Sequence, residues 1–146
     1  MKTLILSSLL FLSVQASAVQ KLVCVPGYEE MRKDAVIEVT FKYNIDPLKP
    51  FVGRYDLGAE LTFKDLVTRQ LYTRPDLVMR PEANTADVSM RGGAAGMVHL
   101  RLSPVLKNGS FAGRYTGDLF INDLDVRAYY NLVGTSKEPG ILCEAH

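Results

Sequence analysis

A five-residue segment that occurs twice holds the side chains best suited to bind a charged ligand. Residues 51–55 read F-V-G-R-Y, and residues 111–115 read F-A-G-R-Y. An arginine guanidinium donates two parallel hydrogen bonds, which suits a carboxylate or a phosphate. The repeat therefore predicts that Arg54, Tyr55, Arg114 and Tyr115 bind a ligand with an acidic group. Alternatively, the segment has a purely structural role, in which its aromatic residues and glycine form a corner of a β-sheet and both arginines are solvated.

Catalytic chemistry has little support in the sequence. His99 and His146 are the only imidazoles, and no G-x-S-x-G segment is present. The carboxylates of Asp123 and Asp125 lie in the segment N-D-L-D, a composition typical of a hairpin turn. We therefore predict a protein that is not an enzyme, with no catalytic residue, no metal site and no cofactor.

The N-terminus has the pattern of an export signal. Lys2 precedes an apolar run over residues 4–14, and A-S-A at residues 16–18 is typical of a cleavage site. This pattern divides the 146 residues into a leader, 1–18, and a single domain, 19–146. The apolar run is too short for the roughly 20 residues that a membrane-spanning helix needs. We expect an exported protein, periplasmic or extracellular, with no transmembrane segment.

The charge of the domain excludes one class of partner. The whole chain has a formal net charge of +1, and the leader removes one lysine and no acid. The remaining domain is neutral and has no overall attraction for the phosphates of a nucleic acid. Nucleic-acid binding is therefore not expected.

Two cysteines remain, Cys24 and Cys143, near the two ends of the domain. An exported protein meets an oxidising compartment, in which paired cysteines form disulfides. There is no C-x-x-C segment, and no histidine lies near Cys24 in the sequence. We predict a structural bridge that joins the first strand of the domain to the last.

Apolar side chains recur with the period of a β-strand. Residues 36–43 and 97–102 alternate apolar and polar types, and Asn108-Gly109 is a strong hairpin signal. The pattern predicts an all-β chain, with at most one short helix around residues 60–71. Short turns force neighbouring strands to be antiparallel, so we expect a meander of eight to ten strands.

A second set of matches supports an internal repeat beyond the F-x-G-R-Y segment. The segment D-L-x-x-R-x-x-Y occurs at residues 65–72 and again at residues 123–130. The matches divide the domain into two related halves, about 21–80 and 87–144, which gives a pseudo-twofold internal repeat. Such halves predict a closed or nearly closed barrel, with a β-sandwich as the alternative.

Two functions fit these expectations. The first is a non-catalytic exported binding module that holds an unknown small ligand, as other small barrels do. The second is a protein-interaction factor, such as a periplasmic hydrolase inhibitor or an envelope assembly protein, which acts through a surface loop. We expect a monomer in both cases.

The segment G-R-Y-T at residues 113–116, together with the early and late cysteines, resembles the small periplasmic inhibitors of C-type lysozymes. Those proteins are β-barrels that carry S-G-x-x-Y in an inhibitory loop. The resemblance covers only a handful of residues. Ala112 stands where the serine of that motif would be, and the chain has no tryptophan. The resemblance implies a hydrolase inhibitor and assigns no active residue.

Overall fold

The computed structural model describes residues 19–48, 58–80, 87–93 and 97–146, with backbone only at 79 and 80. These residues form nine β-strands and one short 3-10 turn at Glu29–Met31. The strands are β1 (Val19–Pro26), β2 (Ala35–Ile45), β3 (Gly58–Asp65), β4 (Leu71–Arg80), β5 (Val88–Gly92), β6 (Val98–Lys107), β7 (Ser110–Asp123), β8 (Ala128–Leu132) and β9 (Ile141–Ala145). The predicted leader, 1–18, lies outside the described residues.

Eight of the strands close into an antiparallel barrel. Neighbouring strands follow the order β6-β5-β4-β3-β2-β1-β9-β7, and β7 pairs back with β6. The other edge of the 14-residue strand β7 has two partners, β9 along residues 114–117 and β8 along residues 119–123. The predicted all-β barrel is therefore confirmed, and the chain does not adopt the sandwich alternative.

The interior of the barrel is filled by its own side chains. In β6 the alternate residues Val98, Leu100 and Leu102 point inward and are completely buried, as the period of two predicts. An eight-stranded barrel is just wide enough for such side chains to meet at its centre. The largest buried side chains are Tyr115, Phe41, Leu22, Ile37, Ile45, Leu61, Leu77, Met90, Leu100, Leu102 and Leu119. A ligand in the interior would have to displace this core.

The disulfide joins the first and last strands of the barrel. Cys24 in β1 and Cys143 in β9 are direct partners across the strand pair, and they are bonded with a Cα–Cα distance of 3.9 Å. Both side chains are buried. The predicted bridge is confirmed, and it lies where the two ends of the domain meet to close the sheet.

The expected short helix around residues 60–71 is not formed. Residues up to Asp65 continue β3, and a tight turn leads directly into β4 at Leu71. Leu61 and Phe63 alternate with polar residues and are buried against the core, so the strand period governs this segment. Within the described part of the chain there is no α-helix, and no helix there is long and apolar enough to cross a membrane.

Two hairpins meet over one end of the barrel, which we call the tip end. The β3–β4 and β7–β8 turns both lie there, although β3 and β7 are four strands apart in the closed sheet. The Tyr72 hydroxyl donates a hydrogen bond to Asp123 Oδ2 at 2.8 Å. The Tyr130 hydroxyl donates to Asp65 Oδ2 at 3.1 Å. Each hairpin therefore supplies the tyrosine that binds the aspartate of the other.

The two aspartates also organise their own turns. Asp65 Oδ1 accepts hydrogen bonds from the backbone N–H groups of Val67 and Thr68, both at 3.0 Å. In the second hairpin, Asp123 Oδ1 accepts the N–H of the second residue after it at 3.2 Å. Arg69 and Arg127 occupy the same place in each turn, with positive φ angles of 61° and 55°. The matched segments thus have matching roles, which supports the internal repeat that remains a prediction.

Candidate functional site

A groove on the outer wall of the barrel is lined by two of the predicted binding residues, Arg114 and Tyr115. Its volume is about 610 Å³, within the range typical of small-molecule sites. It runs across the outward faces of β1, β9 and β7 and is bounded by the 3-10 turn and by the end of β6. The apolar and charged side chains that line it are Val23, Val25, Leu142, Val105, Arg32, Arg114, Glu144 and His146.

The floor of the groove is apolar because of strand alternation. In β1, Leu22 and Cys24 point into the core, so Val23 and Val25 between them face outward and are half-buried. Leu142 in β9 is the direct neighbour of Val25 in the strand pair. Three aliphatic side chains therefore form a continuous surface outside the wall, where a solvated strand face would normally carry polar residues.

Charged side chains surround this floor. Arg114 in β7 is exposed and lies directly opposite Glu144 of β9 in the strand pair. No hydrogen bond or ion pair of Arg114 is found with the described residues. Arg32 makes one long contact, from its Nη2 to the Gly27 carbonyl oxygen at 3.5 Å. Both guanidinium groups keep most of their donors available for a ligand in the groove.

Tyr115 lies on the other side of the barrel wall from Arg114. Its side chain is 1% exposed and packs against Phe111, with ring centroids 5.2 Å apart. Burial, and then the nearby charge of Asp46, raise the pKa of the Tyr115 phenol. The hydroxyl has no hydrogen-bond partner among the described residues. Tyr115 thus belongs to the core, and it lines the groove beside Arg114 with a side chain that is almost completely buried.

A β-bulge explains how these neighbours are placed. Pro104 pairs with Tyr115 and Leu106 pairs with Phe111, so β7 contains more residues than β6 between these two points. Gly113 lies in the bulge with a φ of 78°, a conformation that favours glycine. The segment 113–116 is therefore part of strand β7.

The first copy of the repeated segment, with Arg54 and Tyr55, lies outside the described residues. The predicted pair of arginines around one acidic ligand therefore remains a prediction. Two of the groove residues, Val105 and Leu142, are not marked as site residues by any pattern in the sequence. They meet only because the closed barrel brings β1, β6 and β9 together, and a local pattern does not encode such proximity.

A polar hollow of about 350 Å³ adjoins the groove, and Thr116 lines both. Residues 134–139 line one side of the hollow. The loop that contains them is anchored where the Gly134 N–H donates to Asp118 Oδ1 at 2.6 Å. Its lining includes Ser103, Thr135 and Lys137. The groove and the hollow together offer an apolar surface followed by a hydrogen-bonding one.

Within the described ranges, no three His, Cys, Asp or Glu side chains are grouped so that they could hold a metal ion. Comparison of the chain with protein-family models, with curated proteins and with solved structures finds no match.

Proposed function

We propose that the protein is an exported, non-catalytic binding module for a small amphipathic ligand with an acidic group. The observation that carries the proposal is the groove, in which an aliphatic floor lies beside Arg114, a cation without a partner among the described residues. Aliphatic surface binds an apolar body, and a guanidinium fixes an acidic head by paired hydrogen bonds. The disulfide supports export, because such bonds persist in oxidising compartments.

This proposal places the ligand on the wall of the barrel. The centre is occupied by apolar core side chains such as Phe41, Leu100 and Leu119. The outer floor needs no rearrangement, since Val23, Val25 and Leu142 are already partly accessible. Glu144 beside Arg114 selects against a second negative charge at that position, so a ligand with a single acid fits best.

The first experiment is native mass spectrometry of the protein purified from the exporting cell. A reproducible small adduct gives the mass of the ligand, and the denatured mass fixes where the chain begins. Dodecanoate is then titrated by calorimetry, with dodecyltrimethylammonium as the probe of opposite charge. We expect dodecanoate to bind and the cationic probe not to bind.

Two matched variants locate the site. Arg114→Gln removes the cation of the groove, and we expect dodecanoate affinity to fall about tenfold, as for the loss of a charged hydrogen bond. Arg91→Gln removes an exposed arginine from β5, on the opposite wall, and should leave the affinity unchanged. An equal loss in both variants, or in neither, would contradict the proposed site. A chain that binds neither probe and carries no adduct would favour the protein-interaction alternative.

A further inference from the structure

Strand β8 has one neighbouring strand, whereas every other strand that the structure describes has at least two. It pairs with β7 along residues 119–123, and β9 occupies another part of the same edge of β7 along residues 114–117. On its other side, β8 has no strand partner among the described residues. The barrel wall is therefore interrupted beside β8, at the tip end.

The interruption leaves backbone groups of β8 available for hydrogen bonds. The Asn122 N–H donates to the Met97 carbonyl oxygen at 2.8 Å, so the backbone of Asn122 faces β6. Residues directly opposite each other in an antiparallel pair either bond each other or both face away. Tyr129 is opposite Asn122, so it faces away from β7, and Asn131 does the same two residues later. The N–H and C=O groups of Tyr129 and Asn131 have no hydrogen bond with the described part of the chain.

The sequence of β8 does little to protect this edge. Exposed edges are normally blunted by lysine, by proline or by a bulge. The strand reads A-Y-Y-N-L, with no charged residue and no proline, and its register with β7 is continuous. The open edge ends at Val133, whose carbonyl oxygen accepts the Tyr28 hydroxyl at 2.6 Å. Its length therefore suits a short extended segment.

A slot of about 300 Å³ lies directly beside the open edge. Tyr129 and Asn131 line it on the side of β8, and Val67 and Thr68 of the β3–β4 turn line it on the other side. Tyr129 is 62% exposed and Val67 is 69% exposed, so the rims of the slot are apolar and accessible. Apolar and aromatic side chains also line its interior, and they are Pro26, Met31, Ala35, Phe63, Tyr130 and Leu132. A strand added beside β8 would direct alternate side chains into this slot.

The charge of the slot favours a basic side chain. Asp34 and Asp65 line it, and no lysine, arginine or histidine of the described residues does. Asp65 already accepts hydrogen bonds from its own turn and from the Tyr130 hydroxyl. Asp34 is half-buried, and its carboxylate has no hydrogen bond or ion pair with the described residues. An unpaired carboxylate near aromatic rings suits an ammonium or a guanidinium group.

We propose that β8 accepts an extended segment of a protein partner as an added strand, and that a lysine or arginine of this segment enters the slot. The backbone of the segment would bond the N–H and C=O groups of Tyr129 and Asn131. In this mode of recognition the main-chain hydrogen bonds supply affinity, and the pockets for alternate side chains supply specificity. This partner is additional to the small ligand of the wall groove, because the slot and the groove share no lining residue among those described.

A second copy of the chain fits this edge less well. A symmetric contact would pair two β8 strands and place the same slot on both partners. The sequence of β8 has no basic side chain to offer to the other slot. The carboxylates of both slots would then lie in one contact, where like charges repel each other.

The first test is a selection of random seven-residue peptides, displayed on phage, against the exported form of the chain. We expect enrichment of peptides that carry lysine or arginine between β-branched residues, which favour extended structure. The same selection against Asn131→Pro should not enrich them. Recovery of acidic peptides, or of no peptide above the level of the unselected library, would contradict the proposed site.

Two substitutions at one position test the added strand. Asn131→Pro removes the N–H that faces the interruption and spares the bonds to β7, because proline is tolerated on the open side of an edge strand. Asn131→Ala removes the same side chain and keeps that N–H. In calorimetry, the best enriched peptide should bind Asn131→Pro about tenfold more weakly than the native chain and should bind Asn131→Ala with unchanged affinity. Equal affinities for the two variants would exclude an added strand, and a thermal melt confirms that both barrels are folded.

Methylation of the peptide backbone repeats this test without any change in the protein. Each N-methyl group removes one N–H of the peptide. Alternate residues of an added strand bond β8, so methylation at every second position should weaken binding about tenfold and methylation between them should not. A loss without this period of two would contradict the proposal.

The charge preference is tested at Asp34. Asp34→Asn keeps the size of the side chain and removes its charge, so the affinity for the basic peptide should fall about fivefold. Glu60→Gln neutralises an exposed acid of β3 that does not line the slot, and it should leave the affinity unchanged. A basic peptide that binds Asp34→Asn as tightly as the native chain would show that the slot does not select a cation.

Sedimentation velocity without peptide tests the second copy as the occupant. We expect a monomer. A dimer that Asn131→Pro dissociates and Asn131→Ala does not would assign the edge to a second chain and overturn the proposal. None of these measurements involves the residues of the wall groove, so the two proposals succeed or fail separately.

Discussion

The two hairpins of the tip end donate the same hydrogen bond to each other in different surroundings. Tyr72 and Asp123 are 7% and 3% exposed, whereas Tyr130 and Asp65 are only half-buried. Arg74 Nη1 lies 3.7 Å from Asp123 Oδ2, and Asp65 has no comparable ion pair among the described residues. The same pair of chemical groups can therefore contribute unequally to stability in the two hairpins, because water can replace a lost partner only where it has access.

The largest expected difference in the free energy of unfolding is between alanine variants of the two aspartates. Asp123→Ala leaves the buried Tyr72 hydroxyl without a partner and removes the ion pair with Arg74, so we expect a loss of about 3 kcal/mol in the free energy of unfolding. Asp65→Ala removes a partly exposed group and its turn cap, and the loss should be about 1 kcal/mol. Urea unfolding followed by circular dichroism measures both. Equal losses would show that burial does not distinguish the two hydrogen bonds.

Phenylalanine variants of the two tyrosines should also destabilise the buried pair more than the half-buried one, with smaller losses in the free energy of unfolding. Tyr72→Phe leaves a buried carboxylate with one donor fewer, and we expect a loss of about 1.5 kcal/mol in the free energy of unfolding. Tyr130→Phe keeps the stack on Phe63 and exposes Asp65 Oδ2 to water, so its loss should stay below about 0.5 kcal/mol. The double variant checks whether the hairpins are coupled. A loss smaller than the sum of the single losses would mean that each bond supports the other.

Alkaline pH tests the hydrogen bond of Tyr72 without a change of any side chain. Burial, and then the hydrogen bond to Asp123, raise the pKa of Tyr72 from 10.0 to about 12. The folded state therefore holds this proton more tightly than the unfolded chain. The resulting stability is fully present below pH 10 and is lost as the pH rises toward 12. Urea unfolding at several pH values in this range should show a decline for the native chain and a shallower decline for Tyr72→Phe, with Tyr129→Phe as the exposed control.

The smallest change in the free energy of unfolding is expected at the two arginines with positive φ, and it should be the same in both hairpins. Arg69 and Arg127 have positive φ angles, a region that costs an ordinary residue roughly 1 kcal/mol and costs glycine little. Glycine also gains freedom in the unfolded chain, so each replacement by glycine should raise the free energy of unfolding by only about 0.5 kcal/mol. Thermal melts of Arg69→Gly and Arg127→Gly measure it. A gain in only one hairpin would show that the turns are less equivalent than their sequences.

Much of the fold follows from local pattern in the sequence. The period of two along β2 and β6, together with the hairpin signals, predicts the antiparallel strands, and the positions of Cys24 and Cys143 predict the disulfide of the closed sheet. The prediction of a short helix over residues 60–71 is wrong. The spaced leucines of this segment also fit one face of a helix, but the segment continues strand β3. Pro139-Gly140 marks a turn before β9, but the way in which β8 and β9 share the long edge of β7 is a long-range feature that no local pattern predicts.

The candidate site could be predicted from the sequence less completely than the fold. Alternation places Arg114 and Tyr115 on opposite faces of one strand, and the structure confirms this for the second copy of the segment. The apolar floor beside Arg114 comes from strands that are far apart in the chain, so periodicity could not reveal it. The crossed tyrosine bonds are a similar case. The matching D-L-x-x-R-x-x-Y segments were visible in the sequence, but their mutual contact is a long-range feature.

The position of the disulfide has a consequence for the integrity of the molecule. Cys24 and Cys143 are 119 residues apart along the chain, so backbone and bridge together form a covalent ring that contains most of the domain. A protease that cuts one turn within this ring adds one water to the mass and releases no fragment. The new ends stay on strands that the barrel still holds, and only reduction of the buried bridge would let the two pieces separate.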